Sequence, residues 1–517
     1  MADDSKGLPM TAKWDPERVQ AEIAQLDALE SQPFFSRVGG YLKRTGPGLL
    51  QSAMTLGAGS AAASVVAGAS FGYKLLWIQP VAMFLGVCMM AALSNVVLTT
   101  QERPYGAFGR ESSKFLVFLW ALGTVMASVI WHFPQYGLVA GAARDLADLA
   151  NIQCRAAEGA GALAGYTTAG LAISFGAGLL ILLINMGTTW SYGSSAWGIK
   201  LYEWFLRGVI GLVILAFGIV VFANFSNIEW GELGKGFIGY YGVPEVDEQV
   251  VDAAIEAGEL KPENKEGAMD TLTLVLGMLG AAVGINMTFL YPYSLLAKGW
   301  GPHHKKLARW DLGMSMFVPF VLVTSLVIVA MSVSGVFQPG DEYVHSGMKP
   351  LDAAASLQGV MGDAAGRIVF DLGLIGMACG AISAHMVVCG FTICEMFGLE
   401  YTKWRFRMFA MVPAIGVFGV VTNLPIWFPI AASAVCFTML PIAYVLFLIM
   451  NNKRSYIGDA VGSGASRIVF NTILVVALAV ATIGSIIKIK GGVIDKVFTK
   501  SETVTVPTGS DQTSKEE

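Results

Sequence analysis

The chain has 517 residues, of which 54% are hydrophobic and only 14% charged, with a net charge of −4. Soluble domains carry about 25% charged residues, and so apolar a chain has too little polar surface to cover the three or four separate cores its length would suggest. With no basic stripe and too much apolar residue for disorder or collagen, it is neither a nucleic-acid binder nor a disordered chain; the composition specifies an integral membrane protein.

In chain order, residues 1–44 are polar, and Asp15-Pro16 followed by Arg18, Val19, Ile23 and Leu26 reads as a capped amphipathic helix along the membrane surface. No cleavable signal peptide is recognised. A spanning helix needs roughly 20 apolar residues, and eleven segments qualify: 48–70, 75–99, 115–141, 168–187, 203–224, 271–296, 312–335, 367–394, 406–423, 428–450 and 468–487. The expected organisation is a cytoplasmic segment 1–44, a first repeat 45–224, an acidic extracytoplasmic loop 225–270, a second repeat 271–450, a last span 451–490 and a disordered polar tail 491–517.

Lys and Arg in short loops set the orientation. Lys43 and Arg44 precede the first span, and every second loop is basic: Arg103, Arg110 and Lys114, then Lys200, then Lys298, Lys305, Lys306 and Arg309, then Lys403, Arg405 and Arg407, then Lys453, Arg454 and Arg467. The intervening loops are poorer, which puts the N-terminus inside and, with an odd span count, the C-terminus outside. Lys488, Lys490, Lys496 and Lys500 weigh mildly against an outside tail. The expected location is the bacterial cytoplasmic (inner) membrane.

Glycine is in excess, at 60 residues, about 12% against a usual 7%. Membrane helices use it for close backbone approach and deliberate breaks. Span 1 carries Gly57, Gly59 and Ser60 at its middle, and span 6 carries Gly284 and Asn286 at its middle. Interrupted spans at matching places in two halves point to an inverted-repeat transporter, because freed backbone groups at the midplane are tolerable only where they line a cavity. The six cysteines form no CxxC pair or disulfide framework and read as small core residues.

Residues 46–77, GPGLLQSAMTLGAGSAAASVVAGASFGYKLLW, resemble the first helix of the natural resistance-associated macrophage protein (NRAMP) family of divalent-metal transporters. Lys200–Glu203, Trp230–Gly236, Leu351–Gly366, Arg405–Ala414 and Met439–Ala443 follow the same family in order, so the resemblance covers about residues 45–485. It implies an all-α membrane protein of eleven helices with the LeuT-like 5+5 inverted repeat, helices 1 and 6 being broken. It also implies a secondary transporter working by alternating access, with no cofactor, moving a metal ion coupled to a proton or Na⁺.

Where the family carries its DPGN motif this chain has Gly57, Ala58, Gly59 and Ser60, and where it carries MPH this chain has Gly284, Ile285 and Asn286. A second helix-6 histidine is replaced by Tyr291, a helix-10 glutamine by Met439, and the acidic helix-3 stretch by Trp131–Tyr136. Gly57, Ala58, Gly59, Ser60, Gly284, Asn286 and Met439 are therefore the expected substrate-binding residues. They offer no carboxylate or imidazole to a divalent ion, so the metal cannot be assigned. Gly57–Ser60 also reads as a backbone nest at a helix N-terminus, which suits an anion. Uptake of a small organic or anionic solute, such as an amino acid, a carboxylate or bicarbonate, is the second reading. A receptor or channel is a third; a channel would show a polar pore lining, and none is visible.

Intramembrane ionisable residues are functional candidates by default. His132, beside Pro134, Gln135 and Tyr136, and His385 with Ser383 in span 8 are candidates for a proton or coupling-ion relay. Glu203 and Glu395 read as structural pairs at span ends, and Asp371 as a vestibule residue. His303–Lys306 and His345 read as loops, because adjacent side chains do not converge on one ion. Walker A, Rossmann, HExxH and GxSxG sequences are absent, so neither an ATP-driven pump nor an enzyme is indicated.

Overall fold

A computed structural model describes residues 16–490 apart from 157–164, 193–195, 336, 347, 349–353, 355–356, 359–360 and 422–426. The expected tail 491–517 and the start of the N-terminal segment lie outside the described residues. The described chain is almost entirely helical, with an isolated bridge between Arg155 and Tyr166.

Two helices precede the first span: α1 (Pro16–Glu30) and α2 (Phe34–Leu42). They fold back onto the bundle rather than lying free. Leu26 and Leu29 are buried, Tyr41 stacks on Trp310 with ring centroids 5.6 Å apart, and Lys306 pairs with Glu30. The first span is two half-helices, α3 (Pro47–Thr55) and α4 (Ala58–Phe71), bent by 51°. There follow α5 (Ile78–Thr100), the short α6 (Pro104–Glu111), α7 (Lys114–Leu149), α8 (Thr168–Tyr192) and α9 (Ala196–Ala223).

The acidic loop is structured: α10 (Trp230–Phe237), α11 (Glu248–Glu256) and α12 (Lys265–Met269) fold partly on a small core of Val251, Ala254, Leu260, Ala268 and Tyr343. The second repeat opens with α13 (Thr271–Ala282) and α14 (Ile285–Ala297), continues through α15 (Lys305–Asp311), a π-helical stretch Leu312–Phe317 and α16 (Val318–Val333), and then α17 (Asp363–Met396). The remaining elements are α18 (Lys403–Ala410), a 3₁₀ segment Val412–Val421, α19 (Trp427–Phe437), α20 (Leu440–Asn452), α21 (Arg454–Ile457) and α22 (Gly464–Ile489). Among the described residues nine helices are long and apolar enough to cross a membrane, and the bent pair makes a tenth. Residues 210–223 of α9 form a shorter apolar helix where the fifth span was expected.

Two spans differ from the sequence expectation. Residues 406–423 were expected as one helix, yet past Ala410 the chain winds as a 3₁₀ helix. In 3₁₀ geometry residues three apart eclipse on one face, which turns Gly416 and Gly419 together onto α7. A β-carbon at Gly416 would stand 2.2 Å from the His132 Cβ, and one at Gly419 2.2 Å from the Phe133 carbonyl oxygen. Residues 428–450 are interrupted at Thr438 and Met439, just before Pro441, whose missing N–H suits the start of a helix.

On the α14 side of the breaks an aromatic plug fills the bundle. Phe289 lies 4.7 Å from Trp120 and stacks on Tyr293 at 4.9 Å, and Tyr293 stacks on Phe391 at 5.6 Å. All four rings are fully buried. At the same end Asp311 accepts hydrogen bonds from Gly46 N (3.0 Å) and Gly48 N (2.6 Å), fixing the start of α3 to α15.

Candidate functional site

The two breaks face each other. Gly57 (φ −98°, ψ −165°) and Gly284 (φ −93°, ψ 159°) are both extended, a conformation open to any residue. Glycine serves space here, not backbone freedom. A β-carbon at Gly57 would lie 2.8 Å from Gln135 Nε2, one at Gly59 2.3 Å from Trp131 Cη2 and 2.5 Å from Ser433 Oγ, and one at Gly280 2.4 Å from the Ser433 carbonyl oxygen.

Between the breaks lies a small cavity lined by Met54, Thr55, Gly59, Ser60, Trp131, Gln135, Gly280, Ala281, Gly284, Asn286, Met287 and His385. Met54 and Thr55 end α3, and Gly280 and Ala281 lie in the last turn of α13, so the C-terminal turns of both first half-helices border it. The last carbonyls of a helix have no intrahelical partner and carry the negative end of its dipole.

The opposite ends, at the starts of α4 and α14, are partly quenched by side chains. Ala58 N donates to Gln135 Oε1 (3.2 Å), Gly284 N to Met287 Sδ (3.2 Å), and Met287 N to Asn286 Oδ1 (3.0 Å). Three of the N–H groups at the two breaks therefore already have side-chain acceptors. What reaches the cavity is carbonyl, hydroxyl, amide, thioether and imidazole, all neutral, with no acidic lining residue.

Of the expected site residues, Gly59, Ser60, Gly284, Asn286, Gln135 and His385 line the cavity; Gly57 and Ala58 form the break beside it. Met439 does not reach it, because it caps α20 and its sulfur packs 3.4 Å from where a Gly123 β-carbon would stand. Ser60 Oγ donates back to the Gly57 carbonyl at 3.1 Å, and Asn286 Nδ2 donates to Ser128 Oγ at 3.5 Å. Sequence reasoning missed Met54, Thr55 and Met287. The available signal for Met287 was its place three residues after Gly284, one turn into a helix opened by a break.

Behind the cavity the relay candidates assemble in part. His132 and His385 lie with ring centroids 5.4 Å apart, and Tyr136 is 6.0 Å from His132. His132 Nδ1 bonds the Ser128 carbonyl at 2.8 Å; a carbonyl only accepts, so that nitrogen holds the proton and Nε2 is a bare acceptor. His132 Nε2, His385 Nδ1 and Tyr136 Oη find no hydrogen-bond partner among the described residues. Ser383 turns its hydroxyl to the Gly380 carbonyl on its own helix at 2.9 Å.

The other candidates are structural. Glu395 accepts from the Tyr401 hydroxyl at 2.7 Å and lies 3.7 Å from Arg103; the Glu203 side chain lies outside the described residues. Asp371 is buried beside Asp145, which Arg367 holds in a salt bridge, and does not line a vestibule. His304 accepts from Gly301 N at 3.1 Å and stacks on Trp300. A second void, lined chiefly by apolar residues such as Leu138, Phe217, Val327 and Phe370, meets the first at Ser60.

Residues 48–487 match the family model "Natural resistance-associated macrophage protein-like". The chain is similar to solved structures of a manganese transporter of Eremococcus coleocola: one variant is 15% identical with TM-score 0.62, covering 92% of this chain and 90% of that one. A complex of that transporter with an aromatic bis-isothiourea substituted compound is 14% identical with TM-score 0.61, covering 96% and 92%. MhsT in complex with L-phenylalanine is 13% identical with TM-score 0.51, covering 85% and 98%. No curated protein matches the sequence. At these identities the structures speak for the fold, a LeuT-like inverted repeat with a broken first helix.

Proposed function

The chain belongs to the natural resistance-associated macrophage protein-like family, a secondary metal-ion transporter and not an enzyme, and from that premise we propose that its cargo is a cation bound between the breaks of α3–α4 and α13–α14. The observation that carries this reading is the asymmetry of the four half-helix ends. At the positive ends the N–H groups of Ala58, Gly284 and Met287 already donate to Gln135, Met287 and Asn286, while the C-terminal turns of α3 and α13 border the cavity. Such a site attracts positive charge and gives little to a carboxylate or bicarbonate.

Gly59, Ser60 and Asn286, together with Thr55, Met54, Met287 and His385, contact the ion. The proton that drives transport is taken up on His132, whose bare Nε2 has no competing partner among the described residues and whose ring lies beside that of His385. Na⁺ is the poorer coupling ion, because it wants oxygen ligands and the pair offers nitrogen. Alternating access then consists of α3–α4 and α13–α14 rocking against the scaffold, releasing cargo past the aromatic plug. The basic loops support a cytoplasmic N-terminus.

The test is electrical. With purified protein in liposomes, an inside-negative K⁺ diffusion potential should accelerate uptake of the transported metal ion, and an inside-positive one should slow it. Carboxylate uptake accelerated by the inside-positive potential, with no metal uptake at either polarity, would overturn the proposal.

A further inference from the structure

Three of the cavity's donors are soft. Met54 stands at the end of α3, Met287 in the first turn of α14 and His385 on α17, and all three border the same space as the Trp131 indole. The Met287 sulfur lies 3.2 Å from Gly284 N, so a thioether sits at the helix break itself although the aligned motif position is glycine. His385 is 3% exposed and its Nδ1 has no hydrogen-bond partner among the described residues.

Charge and softness together narrow the cargo. No described cluster of three or more His, Cys, Asp or Glu could hold a metal ion, and no lining residue of the cavity is acidic. The cost of moving an ion from water into a low-dielectric interior grows with the square of its charge, so a bare divalent ion pays roughly four times what a monovalent one of equal size pays. Helix-end carbonyls and neutral side chains offset a single charge far better than a double one. Among single charges, Na⁺ and K⁺ want hard oxygen ligands, whereas thioether sulfur selects Cu⁺-like ions and imidazole accepts them.

We infer that the cavity selects a singly charged soft metal ion of the Cu⁺ and Ag⁺ class, held by the Met54 and Met287 thioethers and the His385 imidazole beside Trp131. This rests on the metal-transport reading and narrows it to one class of ion.

The experiment uses the full chain in liposomes with Ag⁺ as a redox-inert probe and Mn²⁺ as the divalent comparison, internal metal being counted after filtration. Wild-type protein should take up Ag⁺ at least tenfold faster than Mn²⁺, relative to empty liposomes. The double variant Met54→Leu/Met287→Leu, close in volume, should lose tenfold or more of the Ag⁺ rate. Asn286→Asp, which supplies the absent carboxylate, should raise Mn²⁺ uptake and lower the Ag⁺ to Mn²⁺ ratio. Mn²⁺ uptake without Ag⁺ uptake by wild type overturns the inference and leaves metal transport standing; uptake of neither overturns both. Should the double variant fail to reconstitute, the wild-type ratio and its shift in Asn286→Asp decide: a ratio below one, or one that does not fall in Asn286→Asp, overturns the inference.

Discussion

The side-chain oxygen of Gln135 accepts a hydrogen bond from the Ala58 N–H at 3.2 Å, so one residue of α7 closes the first open donor of α4. Gln135→Leu keeps the bulk and removes the acceptor. A buried N–H without a partner costs about 1–3 kcal/mol, so the unfolding midpoint should fall. A freed N–H at a helix start also invites anions. The variant should therefore gain thermal stability from added acetate or chloride where wild type gains none. An unchanged midpoint and no anion effect would show that the Gln135 contact does not hold the break.

The glycines at the breaks should rank by what their neighbours can yield. At Gly280 an added methyl meets the Ser433 backbone carbonyl at 2.4 Å, which cannot move without shifting α19. At Gly57 it meets the end of the Gln135 side chain at 2.8 Å, which can turn away. Gly280→Ala should destabilise by about 1–3 kcal/mol, the usual overpacking range, and Gly57→Ala by less, with the difference read from unfolding midpoints in detergent. Equal effects would contradict the close packing of α13 on α19.

Asp311 ties α3 to α15 through the N–H groups of Gly46 and Gly48. Hydrogen bonds to a charged group are worth about 1.5–3 kcal/mol, so Asp311→Ala should loosen the start of α3 while leaving the aromatic plug intact. A cysteine placed at Thr55, on the cavity wall, should then react faster with a membrane-impermeant maleimide added on the α1–α2 side; the native cysteines are all buried. Asp311→Asn retains an acceptor and should fall between. No change in labelling would mean that α3 is held by packing alone.

Much of this architecture is legible in the residues. Apolar segments of spanning length, separated by basic loops, mark the bundle, and Gly57 and Gly284 mark the breaks because small residues are tolerated there for close approach. Other features depend on what lies across the bundle. The 3₁₀ turn at Gly416 and Gly419 follows from their fit against His132 and Phe133, which a residue count along one span does not reveal. Whether the break is a bare anion nest or a quenched one depends on how far the side chains of Gln135 and Met287 reach, and spacing alone does not give reach. Met439 packs away from the cavity lining for the same reason: alignment with a motif fixes its position along the chain, while Pro441 and the break at Thr438 turn it toward Gly123.

Outside the membrane, acidification should loosen the cap over α4. His345 stacks on Tyr343 with centroids 4.6 Å apart, its backbone N–H donates to the Ser70 hydroxyl of α4 at 3.0 Å, and the neighbouring Val344 N bonds the Ala268 carbonyl of α12 at 2.9 Å. Burial pushes the His345 imidazole below its ordinary 6.5, against the opposing pull of Asp341; the nearby charges of Lys74 and Glu342 are paired with each other. A docked loop that binds fewer protons than the undocked one is fully stable above pH 6.5 and weakens as pH falls from there toward the lower docked value. The protection factors of the amides across residues 341–346, corrected for a chemical exchange rate that itself slows on acidification, should therefore fall between pH 7.5 and 5.5, and His345→Gln should remove that fall. A pH-independent protection factor in wild type would show that His345 stays neutral whether or not the loop is docked.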